Sequence, residues 1–339
     1  MKKVASLWLA TFGVGFAIIS ALLVWTLFTP APYGDLTRIG RLSETQFGWR
    51  HEPPVLDPAH LRAVPLDQAD ILVLGDSFSM TYRWQAALVQ AGYKVSTTYW
   101  GQVGYMCGDF TDWVRRQGFK GRMVIVESVE RAFDERMRRS EQCAHMVDRR
   151  LELKTEPFLG PLTQKPPPGL NWAAKLTTGP ITWLNTRKAM RANGDTQHGD
   201  ETLVRLVPDG CKQFSHLACD RVPFFKEDID NGPLTAQTFE RMQRLTTANA
   251  SLNLLWMIIP NKTTVYLDPQ HSSPFVDLLK AHPALGPDLF TWAQQARFAT
   301  QDFYFPNDTH LSMLGQVSLG KAMLQEVKQR LDRHDRAGS

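Results

Sequence analysis

Residues 69–79 read Ala69-Asp-Ile-Leu-Val-Leu-Gly75-Asp76-Ser77-Phe-Ser79, and this stretch decides the fold. Ile71 to Leu74 is a short, unbroken apolar run, the pattern of a strand buried on both faces. Gly75-Asp76-Ser77 interrupts it, and Thr81 to Ala91 reads as a helix. A serine at a strand-to-helix junction has its hydroxyl at the open end of a sheet. A helix N-terminus behind it would offer free N–H groups and a positive dipole end, where acyl transfer can build negative charge on an oxygen. The bland reading of Ser77 is a helix-capping serine, which this position also favours.

Working outward, the same strand-then-helix pattern recurs. Val95 to Tyr99 reads as a second strand, Asp109 to Gln117 as a helix, and Arg122 to Glu127 as a third buried strand. Thr235 to Ala250 reads as a helix and Leu252 to Ile259 as the fourth strand. Pro274 to His282, Pro287 to Phe298 and Met313 to Leu331 are further helices. Alternating strands and helices predict a mainly parallel sheet in a three-layer α/β/α sandwich. Ligands of such sheets sit beyond the carboxyl ends of the strands, and Ser77, Gly104 and Glu127 all fall there. Residues 138–234, with Pro166-Pro-Pro168, read as an irregular insertion that forms a wall of a substrate groove. Residues 30–67, rich in proline and without sustained period, read as a stalk, which leaves 68–335 as the main domain.

A composition of 43% hydrophobic and 21% charged residues supports a sizeable core, and a net charge of +4 is too small to argue for nucleic acid. After Lys2 and Lys3, the 25 residues from Val4 to Phe28 carry no charge. At ~1.5 Å per residue such a helix can cross a bilayer with tilt. Trp25, Phe28 and Tyr33 suit an interface and Pro30 and Pro32 stop the helix, so residues 1–29 read as an uncleaved anchor, lysines inside. A cleaved leader is the alternative; either way the rest of the chain faces outward. The cysteines are Cys107, Cys143, Cys211 and Cys219, with no Cys-x-x-Cys pair and so no zinc signature. Two disulfides, Cys107 with Cys143 and Cys211 with Cys219, are expected in an oxidising compartment; four free buried thiols are the alternative.

A second stretch completes the chemistry: Asp302-Phe-Tyr-Phe-Pro-Asn-Asp308-Thr-His310-Leu-Ser-Met-Leu-Gly315. Asp308 lies two residues before His310, so on a turn it can orient the imidazole; Asn307-Asp308 could equally be a plain turn. Ser77, His310 and Asp308 make a nucleophile, a base and an orienting acid. With these residues the chain resembles the SGNH (GDSL-like) hydrolases, in which a Gly-Asp-Ser block follows the first strand and an Asp-x-His block precedes the last helix. The resemblance implies an oxyanion hole made of the Ser77 N–H and of Gly104, the glycine that matches the family's second block; otherwise Gly101 and Gly104 merely permit a turn. The family's third block offers an asparagine, but here the place reads Val126-Glu127-Ser-Val-Glu130-Arg131.

That departure, with Pro260-x-Lys262-x-x-Val-Tyr266, is similar to the SGNH-like domains of alginate O-acetylation proteins, although there the Asp-x-His block precedes the serine block. The branch implies an acetyltransferase in the bacterial inner membrane with a periplasmic domain. It would act on an exported polysaccharide, need no metal or cofactor, and rely on a multi-span membrane partner for its acyl donor. An acetylesterase with the same triad, or a non-catalytic polysaccharide-binding subunit, is the alternative. Trp100, Tyr105, Arg131 and Lys262 are the substrate-binding candidates. Trp84 and Tyr99 could also stack on sugars; packing, or for Arg131 a structural ion pair, explains them as well.

Overall fold

The computed structural model describes residues 2–151, 153–160 and 169–337, so Pro166 to Pro168 lie outside the described residues. In chain order the main elements are helix α1 (Lys2–Phe28) and strands β1 (Ile71–Gly75), β2 (Val95–Tyr99) and β3 (Met123–Val129). Helices α2 (Glu130–Glu141) and α3 (Thr178–Arg191) follow, then strands β4 (Thr196–His198), β5 (Thr202–Leu206) and β6 (Arg221–Phe225). Helix α4 (Ala236–Ala248), strand β7 (Leu254–Ile259) and helix α5 (Met313–Ala337) complete the set. The chain divides into two compact units, one of Met1–Glu52, Thr163–Lys226 and Phe305–Thr309, the other of Pro53–Leu162, Glu227–Tyr304 and His310–Ser339.

The second unit is mixed α/β. Its four-stranded sheet has the order β2-β1-β3-β7, and every pairing is parallel. All positions of β1, β3 and β7 are buried, so both faces of these strands are covered, as their unbroken apolar runs require. Leu72, Leu74, Val124, Val126, Trp256 and Ile258 point into one cluster with Phe133, Phe239, Phe275 and Phe290. Phe133 meets Trp256 and Phe275 edge-on at 5.7 and 5.8 Å between ring centroids. Helix α4 starts at a capping box between Thr235 and Thr238 and buries Phe239, Met242 and Leu245. Because the chain leaves β1 for β2 on one side and returns to β3 on the other, the carboxyl ends of β1 and β3 flank a crevice where the direction of winding reverses.

The first unit departs from an irregular insertion and a bare stalk. Residues 196–225 form an antiparallel sheet of order β4-β5-β6, and α3 is a regular helix of 14 residues. Residues 35–47 hold two short helices, Asp35–Gly40 and Glu44–Phe47, whose Leu36 and Phe47 are fully buried. The Glu44 carboxylate accepts the N–H groups of Tyr33 and Gly34, and the Asn307 amide donates to it at 2.8 Å. The Asn307 carbonyl in turn accepts from Leu36 and Thr37 N–H at 3.1 and 3.3 Å. Local polarity in the sequence hides this order, because what makes it are partners far away in the chain.

Helix α1 is long and apolar enough to cross a membrane. It ends at Phe28, where Pro30 and Pro32 cannot continue it. Both expected disulfides are present, Cys107–Cys143 in the second unit and Cys211–Cys219 in the first.

Candidate active site

The residues after β1 do not make the expected helix at 81–91. They form a series of turns, and a helix begins only at Ala86 and ends at Gln90. The turns wind around Ser79: its carbonyl accepts from the Gln85 amide at 2.7 Å and its hydroxyl from the Trp84 indole at 3.0 Å. Tyr82 has a left-handed backbone (φ 56°) that a helix could not contain. No helix N-terminus therefore stands behind Ser77. Trp84 is fully buried as part of this scaffold and meets no solvent.

What the turns do is present Ser77. Its Oγ lies 2.7 Å from Nε2 of His310, which sits in the loop closed by the isolated β-bridge between Tyr304 and Leu311 and precedes α5. The imidazole is buried at the edge of solvent, its ring tilted against Phe78 with centroids 4.7 Å apart. The N–H of Ser77 makes no hydrogen bond among the described residues. Asp308 belongs to the first unit, where it is buried and accepts the Asp35 N–H at 2.9 Å.

Behind the serine lies a buried polar knot that joins β1 to β3. Asp76 accepts from Val129 N–H at 2.9 Å, Phe78 N–H at 3.1 Å and the Arg136 guanidinium at 2.9 Å. Burial pushes its carboxyl up, but Arg136 and the backbone donors outweigh this and hold it below the usual carboxylate range. Glu127, inside β3 rather than beyond it, accepts from Asp76 N–H and the Ser79 hydroxyl, both at 2.8 Å. Burial first, and the charge of Asp76 next, raise Glu127 well above its ordinary range. Its other oxygen, Oε1, has no partner among the described residues. Of the two acids, Asp76 is thus the one held toward ionisation and Glu127 the one pushed toward its protonated form. Glycine at 75 is required, because a Cβ there would stand 2.6 Å from Glu127 Oε2 and 2.5 Å from Ser79 Oγ.

Ser77 opens on a cavity of about 460 Å³. Tyr99, Trp100, Gly101, Arg136, Lys154 and Phe158 form its walls. Trp100 is fixed by its indole N–H, which donates to the Glu127 carbonyl at 2.8 Å, and by Arg136 stacked 5.0 Å over its ring. Phe158 meets Tyr99 edge-on at 5.2 Å and carries Lys154 at 5.1 Å over its face. Lys154 and Phe158 lie in the segment expected as an insertion, which does supply a wall.

Of the residues singled out in the sequence, Ser77, Tyr99 and Trp100 line this cavity, and His310 meets it through its hydrogen bond to Ser77. Gly104 does not line it, and its N–H donates to the Trp100 carbonyl at 2.7 Å. The glycine in the wall is Gly101, in the first turn of the short helix Trp100–Val103, where N–H groups lack intrahelical partners. Tyr105 is exposed and outside the wall. Arg131 pairs with the buried Asp228 at 3.2 Å, the structural ion pair, and Lys262 is fully buried away from the wall. Sequence reasoning missed Arg136, Lys154 and Phe158. Arg136 stands among Arg131, Arg138 and Arg139 on one helix, and nothing in their pattern marks it as the one that reaches Asp76. Comparison with family models, with curated proteins and with solved structures finds no match for this chain.

Proposed function

We propose that this chain is a serine-dependent O-acyltransferase, with acetyl as the group moved and a carbohydrate polymer outside the cytoplasm as acceptor. The observation that carries the reading is the 2.7 Å contact between Ser77 Oγ and His310 Nε2 beside an open cavity. At that distance the imidazole takes the hydroxyl proton as Oγ attacks the acyl carbonyl. The oxyanion then faces the N–H groups of Ser77 and Gly101, the donors free at this edge. Collapse expels the donor's oxygen, which receives the proton from His310, and leaves an acyl-serine. A sugar hydroxyl, deprotonated by the same imidazole, attacks that ester and regenerates Ser77. Asp308 is assigned the orientation of His310, on the strength of its place two residues upstream.

The fold assigned to this chemistry is the SGNH-like three-layer sandwich, with α1 as a single anchor in the inner membrane of a bacterium and the chain after it on the periplasmic side. Two disulfides and an apolar N-terminal stretch preceded by lysines support that placement. One span cannot carry an activated acyl group across a bilayer, so a multi-span partner is assigned to supply it.

The test uses the full-length protein in detergent with a chromogenic acetyl ester. Ser77→Ala and His310→Ala are each expected to lower hydrolysis at least about 100-fold while leaving the melting temperature near that of the wild type. Equal rates in all three proteins would end the enzymatic reading and leave a polysaccharide-binding subunit. Adding oligosaccharide and weighing the product by mass spectrometry separates transfer to sugar from transfer to water.

A further inference from the structure

The last turn of α1 is tied to the segment that opens α3. Asn171 N–H donates to the Leu27 carbonyl at 2.8 Å, and its side-chain amide donates to the Thr29 carbonyl at 3.2 Å. Thr26, fully buried, donates through its hydroxyl to the Leu176 carbonyl at 2.8 Å, and Gly179 N–H donates back to it at 3.3 Å. A Cβ at Gly179 would stand 3.0 Å from Thr29 Oγ1, so glycine lets the two backbones close up. Trp25 and Trp183 meet edge-on at 6.2 Å. All of these residues belong to the first unit, so the segment 171–183 is fixed at the level of residues 25–29 of α1.

Around this junction the surface is apolar. Trp172 is 78% exposed, Trp183 46% and Leu184 57%, and Phe28 is 73% exposed beside them. Trp25, Phe28, Thr182, Trp183 and Met190 line a groove of about 400 Å³ between the two helices. No Asp or Glu occurs from Leu170 to Arg191, while Lys175, Arg187, Lys188 and Arg191 are all exposed. Arg187 lies 4.9 Å over the Trp183 ring. Large apolar side chains gathered and exposed in this way are unusual on a surface that faces water. Tryptophans mixed with cations and no acids are the composition of a headgroup layer contact, where rings lie among the acyl ends and long basic side chains reach phosphates.

We propose that the segment 172–184, which leads into α3 and presents Trp172, Leu176, Trp183 and Leu184, is a membrane-interface foot that lies in the headgroup and acyl boundary of the leaflet that α1 leaves. The proposal rests on the reading of α1 as a membrane span. Continuity supplies the argument for lipid as occupant. A hydrocarbon layer takes up roughly 20 helical residues, so a span that starts at Val4 leaves Trp25 to Phe28 at the far boundary. The residues hydrogen-bonded to that turn are held at the same depth. The groove beside Trp25 and Trp183 is then filled by an acyl chain, and Lys175, Arg187 and Lys188 face lipid phosphates.

The experiment keeps the whole chain in the membranes of the cells that make it. Photoreactive p-benzoylphenylalanine is placed singly at Trp172, Trp183 or Leu184, with Val55, which is 97% exposed, as the reference position. After irradiation, mass spectrometry is expected to find phospholipid adducts at the three positions at least fivefold above Val55. Three positions, two of them largely outside the fold, guard against one variant that fails to fold. Alkaline carbonate extraction of the same membranes tests the span separately. A protein that resists carbonate yet gives no excess lipid adduct would overturn the foot and leave the anchor standing. Adducts to another polypeptide at these positions would overturn it in favour of a protein interface. Release by carbonate would remove the anchor, and the foot with it.

Discussion

The carboxyl group of Glu127 accepts the backbone N–H of Asp76 at 2.8 Å, one residue before the serine whose hydroxyl touches His310. One oxygen of a buried acid on β3 thereby sets the end of β1, and Ser79 donates to the same oxygen. The turn that presents Ser77 hangs from the neighbouring strand.

Burial first, and the charge of Asp76 next, raise Glu127 above its ordinary range, whereas an unfolded glutamate releases its proton near the ordinary value of 4.5. The folded protein therefore holds this proton to a higher pH than the unfolded chain does. The stability that Glu127 confers is complete below that pH and is lost as pH rises through the window up to its raised folded value. Glutamine keeps an acceptor oxygen for Asp76 and Ser79 and needs no proton. Glu127→Gln is expected to melt within a degree or so of the wild type near pH 4 and a few degrees above it at pH 7.5. Calorimetry of both proteins at the two pH values checks this; parallel pH profiles would mean that Glu127 is ionised.

The two glycines after β2 should part in their effects. Gly104 has φ 77° and ψ −103°, with open space where a Cβ would go. Gly104→Ala is expected to lose about 1–3 kcal/mol to backbone strain and to keep its turnover. At Gly101 a Cβ would stand 2.5 Å from the Tyr99 ring, so that cavity wall must move. Gly101→Ala is expected to lower kcat about tenfold or more at nearly unchanged stability. Denaturant titrations alongside ester hydrolysis distinguish them, and the opposite pattern would return the oxyanion role to Gly104.

The two disulfides close loops of different length, with a sequence separation of 36 for Cys107–Cys143 and of 8 for Cys211–Cys219. By loop entropy the longer is worth about 4 kcal/mol and the shorter about 2.5 kcal/mol. Cys107 also packs in the main core beside Met106 and Phe110. Cys107→Ser with Cys143→Ser is expected to lower stability more than Cys211→Ser with Cys219→Ser, as read from urea unfolding of each pair of substitutions.

How far the molecule could be read from its residues depended on the distance over which each feature is made. Ile71 to Leu74, Met123 to Val126 and Leu254 to Ile259 are apolar over their own length, and Val95 to Tyr99 is rich in β-branched residues, so the four parallel strands were legible. Each disulfide joins nearest cysteines in the chain, and both were legible for that reason. The helix expected after Ser77 failed because its residues have helical composition but spend their side chains on Ser79. In α5 several apolar residues lie side by side, and periodicity alone does not show that Leu319 and Met323 are buried while Val317 and Leu324 are only partly so. The contact of Ser77 with His310 was anticipated from a pairing of motifs, whereas Arg136 and Lys154 were not, since long cationic side chains are common on any surface.

The carbonyl of Asn307 caps the N–H groups of Leu36 and Thr37, and its amide reaches Glu44. Those early residues leave the ribosome long before residue 307 is made. Until then the knot around Glu44 lacks its last donor, and β4 to β6 must also be synthesised before Leu42 and Phe47 find the core they share with Val204. The N-terminal helix can thus be delivered to its destination while the segment just behind it is still unstructured. A chain cut short ahead of residue 307 would reach that destination with its first unit unfinished, open to proteolysis at the very residues that follow the helix.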